Sequence, residues 1–378
     1  MRQLAYTRLR LLLLLVSLCF SGNVSQVWAN PSPKPVKIGL ITPLTGPRAS
    51  IGEDARQGVE LALDTLGQSA EPALGRLQLI IEDSQGDPAK GVAAYKKLVL
   101  DGVRFVLTQN SNVSLAVAPL VDRDGVIQLA ITTTSEKYST PNDNTFRTNG
   151  PTKPEAQLMA RTLKDRGIKP GQVGIITMQD EYPVTLERFL LEELASSGYS
   201  AITESFLPQE SDFRSIISRL ISRKVSSIIF LGYQTQAGMF VKQFRELGSP
   251  VPLVLTNTPV NNREFFEAAG SSATGVLLTY PLPNLSNPAA AAFRKRYGKD
   301  PNFFSANAYD GLLIADRALS GCNYIFDIAC LKQALFSLKN FQGLSGTKGF
   351  DDKFGDMQDS YFLMIARDGK FIPVEAKS

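Results

Sequence analysis

Asn110-Ser111-Asn112 and Thr132-Thr133-Thr134 are two compact clusters of amides and hydroxyls, in "TQNSNVSLAVAPL" and "ITTTSEKY", each just after an apolar run. Uncharged donors and acceptors of this kind suit a small polar solute. Beside the free N–H groups of a helix start they suit a carboxylate. The same residue types also make ordinary N-caps and turns, so either cluster alone supports both readings. The chain contains no histidine, which excludes Ser-His-Asp and Cys-His catalysis and the commonest zinc sites. The first strand-like run, in "KIGLITPLTGPRASIGEDARQGVELAL", turns into a helix without a phosphate-binding glycine pattern, and Walker A and Gly-x-Ser-x-Gly signatures are missing. Asp351, Asp352 and Asp356 lack the spacing of a calcium loop and read as a charged turn. No catalytic residue, metal or cofactor is expected.

The elements that must position these clusters alternate regularly. Strands are expected at 37–41, 78–82, 104–107, 126–130, 173–177, 201–206, 227–231, 252–255, 275–279 and 360–367. Several are short, β-branched and apolar on both faces, as strands inside a parallel sheet must be. Helices lie between them. Ser50-x-x-Glu53 reads as a capping box, Asp87-Pro88 as an N-cap with proline in the first turn, and Ser211-Asp212-Phe213 as a third start. Later helices are read at 289–297, 304–319 and 328–338. This order predicts an α/β chain with right-handed crossovers. Residues 145–157 and 279–290, rich in proline and turn formers, look like joints between two lobes.

The first 29 residues are set apart. Arg2, Arg8 and Arg10 precede an apolar stretch from Leu11 to Phe20, and Val27-Trp28-Ala29 offers a cleavage site, so a secretory signal is expected. A lipid anchor at Cys19 is not expected, because Leu18 is large where such signals carry a small residue. The formal charge of +4 falls to +1 without the three signal arginines, which gives no reason to expect nucleic acid. The remaining ~349 residues exceed a comfortable single core, so two domains are expected. Only Cys322 and Cys330 outlast the signal. In an exported protein they read as a disulfide closing a short loop, with two free thiols as the other reading. Asn-x-Ser occurs at Asn23, Asn112 and Asn284, a pattern common by chance.

Taken in order, "IGLITPLTGPRASIGEDARQGVELAL", "EDSQGDPAKGVAAYKKLVLDGVRFVL", "AITTTSE", "SDFRSIISRL" and "AAFRKRYGKDPNFFSANAYDGLLIADRAL" resemble the type I periplasmic solute-binding proteins, specifically the leucine/isoleucine/valine-binding family of ABC transporters. The resemblance spans nearly all of the chain after the signal. It implies two doubly wound, Rossmann-like lobes joined by a three-crossing hinge. Lobe 1 is expected at about 30–148 plus 281–342, and lobe 2 at about 149–280 plus 343–378. It also implies a periplasmic or extracytoplasmic monomer that closes on an amino acid or related carboxylate or amide solute and meets ABC permease subunits. The implied site residues are Asn110, Ser111 and Asn112 at the ligand carboxylate, Thr132 to Thr134 beside them, and Tyr182 and Tyr233 closing from the second lobe. Ile51 falls where the family carries an aromatic residue. Asn257 falls where the family places an acid against the ligand ammonium, and Asp180, Glu181 and Asp310 are the other acids within reach of a cleft. The alternative function is a ligand sensor of the same fold acting on a receptor or regulatory partner.

Trp28 is the only tryptophan. Exported protein is therefore expected to show tyrosine emission alone. Tryptophan emission from exported material would mean that cleavage does not occur after Ala29.

Overall fold

Runs such as Ile38–Ile41, Phe105–Thr108 and Ile127–Ala130 are buried on both faces, so each strand needs neighbours on both sides and helices above and below. The computed structural model, which describes residues 35–67, 76–258 and 263–374, satisfies this need twice. In the first sheet, β1 (Val36–Thr42), β2 (Leu77–Asp83), β3 (Phe105–Thr108), β4 (Ile127–Ala130) and β5 (Thr145–Arg147) lie in the order 2-1-3-4-5, all parallel. Its crossovers are α1 (Ala49–Gly67), α2 (Pro88–Leu100) and α3 (Ser111–Asp124).

The second sheet repeats that order in its parallel part. β6 (Gln172–Met178), β7 (Ser200–Phe206), β8 (Ser227–Leu231), β9 (Leu253–Leu255) and β10 (Leu277–Tyr280) lie as 7-6-8-9-10; α4 (Lys153–Asp165) leads into β6, and the crossovers are α5 (Glu181–Ser196), α6 (Arg214–Ser222), α7 (Gln234–Glu246) and α8 (Arg263–Ala269). The chain then returns to the first sheet with α9 (Pro288–Tyr297), α10 (Phe303–Gly321), α11 (Ile328–Phe336) and a hairpin, β11 (Phe341–Gly343) and β12 (Gly346–Lys348). It ends on the second sheet, where β13 (Phe362–Arg367) pairs antiparallel with β10 and β14 (Lys370–Pro373) with β13. The chain is thus an α/β protein with two mainly parallel sheets.

Local signals explain most boundaries. The Asp87 side chain accepts from Lys90 N at 2.9 Å, with Pro88 in the first turn of α2. Asn302 and Ser305 form a reciprocal capping box at α10. The box expected from Ser50 and Glu53 does not form. Helix α1 already begins at Ala49, and Glu53 is turned to Arg56 at 2.6 Å. The sequence places β5 in a joint, because the stretch 145–157 is rich in turn residues. It is held in the sheet by β4 and, through a buried Arg147–Asp356 ion pair, by the segment after β12. Cys322 and Cys330 are joined in a disulfide, which ties the end of α10 to the start of α11. The signal, Cys19 and Trp28 lie outside the described residues.

Each sheet has its own core. Ile38, Leu40, Phe105 and Leu107 pack under Val59 and Leu312, while Phe206, Phe213, Phe230 and Phe240 stack in the second. Helices α1 and α10 approach so closely that a Cβ on Gly58 would lie 2.2 Å from the Ser305 carbonyl oxygen. Gly58→Ala gains up to about 1 kcal/mol of helix propensity, but overpacking of this kind costs about 1–3 kcal/mol. The variant is therefore expected to melt below the parent in a thermal unfolding scan. A higher melting temperature would contradict the close approach.

Candidate ligand-binding site

In an open parallel sheet of order 2-1-3-4-5, the strand order reverses between β1 and β3. The crevice there, beyond the carboxyl ends of the strands, is the natural binding place. Here two such crevices face each other. The first sheet supplies Asn110 and Ser111 after β3 and Thr132 and Thr134 after β4. The second supplies Tyr182 after β6, Tyr233 after β8, and Asn257 and Thr258 after β9. With Phe303 and Phe304 at the start of α10, these ten residues enclose a cavity of about 30 Å³. That is room for a water or two, so a larger solute enters only as the walls part.

The floor on the first side is rigid. Thr133 donates to Ser114 Oγ at 2.7 Å, Gln128 to Thr108 Oγ1 at 2.8 Å, and Ser114 lies 2.9 Å from Thr108 Oγ1. The Ser111 hydroxyl accepts from Thr134 N at 3.3 Å. Asn110 precedes α3 with φ at 72°, a region that non-glycine residues enter only under constraint, and its side chain does not cap the helix. Two polar atoms in this wall, Asn110 Oδ1 and Thr134 Oγ1, are buried without a hydrogen-bond partner.

The second wall is aromatic and acidic. The Tyr182 and Tyr233 rings lie 6.3 Å apart. Tyr182 donates to Glu155, at 3.1 Å from Oε2, and Tyr233 donates to Asp180 Oδ1 at 3.0 Å. Glu155 is fully buried and also accepts from Thr279 Oγ1 at 2.8 Å and from Asn257 N and Nδ2 at 3.3 Å. Burial pushes its carboxyl up to about 7, against the opposing pull of those hydrogen bonds.

Contacts cross the cleft at its rim. Arg48 meets Asp180 at 2.5 Å and lies over the Tyr233 ring at 4.2 Å. Glu181 takes Ser135 Oγ at 2.8 Å and Lys137 Nζ at 3.3 Å, Glu136 pairs with Arg188, and Gln234 donates to Ser50 Oγ at 3.1 Å. Beyond Arg48 and Tyr233 opens an outer pocket of about 390 Å³, lined also by Asn112 and Asp180.

Of the residues expected from the sequence, Asn110, Ser111, Thr132, Thr134, Tyr182, Tyr233 and Asn257 come together around the cavity. Asn112 lies in the outer pocket, its amide donating to Gly86 O at 2.8 Å and its oxygen taking Val113 N. Thr133 is beneath the floor. Ile51 packs into the second sheet's core cluster across the cleft. Asp180 and Glu181 serve the rim. Asp310 is buried at the hairpin, where it accepts from Leu344 N and Ser345 N, each at 2.7 Å, and does not line the cavity. The sequence reading passed over Arg48, Glu155, Phe303 and Phe304. Arg48 had a signal, as the one charge in an otherwise uncharged turn. Glu155 had none, because an acid in a helix's first turn is ordinary.

A carboxyl raised from 4.5 to about 7 on folding adds stability below pH 4.5 that is lost as the pH climbs through 7. The swing is about 3 kcal/mol. In calorimetric scans without solute, the parent is expected to lose melting temperature relative to Glu155→Gln between those pH values, with a constant gap above pH 8. A gap independent of pH would refute the burial of a titrating Glu155.

Comparison with known proteins agrees with this geometry. A family model described as periplasmic binding protein matches residues 35–370. The chain is 26% identical over 369 residues to the Leu/Ile/Val-binding protein homolog 3 of Brucella melitensis, covering 96% of this chain and 99% of the relative. A leucine-binding protein of Thermotoga maritima superposes with a TM-score of 0.82 at 23% identity, over 90% of this chain and 98% of that one. An ABC-transporter solute-binding protein of R. palustris in complex with benzoate superposes at 0.80 with 17% identity, over 90% and 95%. A match over almost all the described residues leads to one conclusion: the chain belongs to the periplasmic binding protein family, a family of extracytoplasmic, non-enzymatic binding proteins.

Proposed function

We propose that this protein is the solute-binding subunit of an ABC transporter and takes a small amino acid, or a related carboxylate or amide solute, between its lobes. The observation that carries the reading is the pair of buried, unpartnered atoms, Thr134 Oγ1 and Asn110 Oδ1, on residues that line one small cavity beside the start of α3. Buried polar atoms without partners cost about 1–3 kcal/mol each. A bound solute that supplies the missing hydrogen bonds removes that cost. The hydroxyls of Ser111 and Thr134 and the α3 N–H groups can hold a carboxylate without an arginine. Arg48, at the rim, is engaged with Asp180. The relatives named for leucine, isoleucine and valine support an amino acid, and the benzoate complex supports the wider carboxylate class.

Closure is a hinge motion that the solute biases by binding the closed form better. The lobes expected from the sequence are 30–148 with 281–342, and 149–280 with 343–378, and we move only the last boundary. Phe350 and Met357 pack into the first core, which supports placing the third crossing near 358–361. The export signal, the permease partner and a monomeric state belong to this proposal.

Loss of one charge-assisted hydrogen bond costs about 1.5–3 kcal/mol, or roughly ten- to a hundredfold in affinity. Thr134→Ala is expected to weaken solute binding by that factor while the empty protein's melting temperature barely moves. A thermal-shift screen of amino acids, their amides, short-chain acids and aromatic acids identifies the solute. Shifts from uncharged solutes with none from amino acids would overturn the amino-acid assignment.

A further inference from the structure

We propose that Glu155 is the specificity-determining counter-charge of the cleft, a positioning residue that acts through Asn257 and Tyr182 to favour solutes carrying an ammonium group over solutes that carry a carboxylate alone. The inference rests on the amino-acid reading of the cleft and names the residue that answers the amine.

Glu155 lies in the first turn of α4, with no exposed surface. Groups from several elements face it. From α5 comes the Tyr182 hydroxyl, with Tyr233 behind it. From β10 comes Thr279, and from the loop after β9 comes Asn257. From the approach to β13 comes Tyr361, whose buried hydroxyl has no partner, and beyond it Asp359, which is paired with Lys348 at 2.5 Å. Lys153 on the same helix points to solvent. Among the described residues no lysine or arginine forms an ion pair with Glu155. A carboxylate held in this way is costly unless a positive charge comes close.

The cavity is the adjoining space that can supply one. Asn257 and Tyr182 each bond Glu155 on one side and line the cavity on the other. The Asn257 amide nitrogen is committed to Glu155, and to Tyr182 Oη at 3.0 Å, which leaves its carbonyl oxygen as the acceptor for a solute N–H. Donation to a carboxylate makes that oxygen, and the Tyr182 ring face, more negative. The negative charge is thereby handed one side chain forward without a carboxylate in the cavity wall itself.

The sign of the proton linkage separates the two solute classes. Burial sets the Glu155 carboxyl near 7, so at neutral pH it stands between its two forms. An ammonium in the cavity favours the carboxylate: binding releases a proton, and affinity rises with pH up to about 7 and then levels. An amine-free carboxylate favours the protonated acid: binding takes up a proton, and affinity falls as pH rises through the same range.

The test is isothermal titration calorimetry of the mature protein in phosphate and in Tris, between pH 5.5 and 8. The probes are L-alanine, L-valine and L-leucine, with propionate, isovalerate and isocaproate as their amine-free counterparts. At pH 7 we expect release of about half a proton per amino acid bound. Glu155→Gln should abolish the release and weaken amino-acid binding about tenfold or more, with a smaller effect on the amine-free acids. Glu155→Asp should retain the release. The wild-type proton count stands even if Glu155→Gln fails to fold. Amino-acid binding with no proton release, or with release unchanged in Glu155→Gln, overturns the counter-charge alone. Binding of the amine-free acids without the amino acids overturns the amino-acid reading and the counter-charge together.

Discussion

Polar atoms that are cut off from water must find partners, and in this protein two that lack one belong to residues lining the small cavity where the two sheets face each other. Thr134 Oγ1 and Asn110 Oδ1 lack partners, and Glu155 has donors but, among the described residues, no ion pair. The contacts that visibly cross the cleft cannot offset this. Glu136–Arg188 and Lys137–Glu181 have at least one partner open to solvent, and exposed pairs are each worth about 0–1 kcal/mol. Arg48–Asp180 is better sheltered and stacks on Tyr233, but breaking the ring of water around two charges takes back much of their attraction. In the closure we propose, the rim orients the two walls and the polar floor decides the stability.

The fold makes that floor possible by using one strand order twice. In each sheet the reversal between the first and third strands opens a crevice at the carboxyl ends, and the two crevices are set mouth to mouth. The chain passes between the sheets after β5, after β10 and before β13. Around the first and third passages sits a buried network: Lys348 bonds Thr148 O at 3.0 Å and Asn307 Oδ1 at 3.2 Å and pairs with Asp359. Arg147, paired with Asp356, also donates to Ser135 O at 2.7 Å, just beyond the threonine loop. Passages and floor thus share side chains, which gives a physical route from hinge angle to site geometry.

Much of this was readable in the sequence because burial on both faces leaves a plain mark. Runs such as Ile38–Ile41 and Ser227–Leu231 can be little else than inner strands. The short polar elements left weaker marks. Thr145–Arg147 becomes a strand through its neighbours, and Ser50 falls inside a helix that it was expected to cap. The site was half legible. Polar loops after strands gave Asn110, Ser111, Thr132 and Thr134, because topology places such loops at the crevice, whereas Tyr182, Tyr233 and Asn257 came from the family resemblance. Long-range pairing gave no sign of itself: Asp310 is bound to a hairpin 34 and 35 residues away, and Glu155 reaches Asn257 across 102 residues. No local pattern encodes either contact.

The central claim is that a solute completes the polar floor and so stabilises closure of two lobes about three passages. Small-angle X-ray scattering of the mature protein, with and without the solute that gives the largest thermal shift, tests it most directly. The account predicts a smaller radius of gyration at saturation, approached with the same midpoint as binding. A radius unchanged at saturating solute would contradict it.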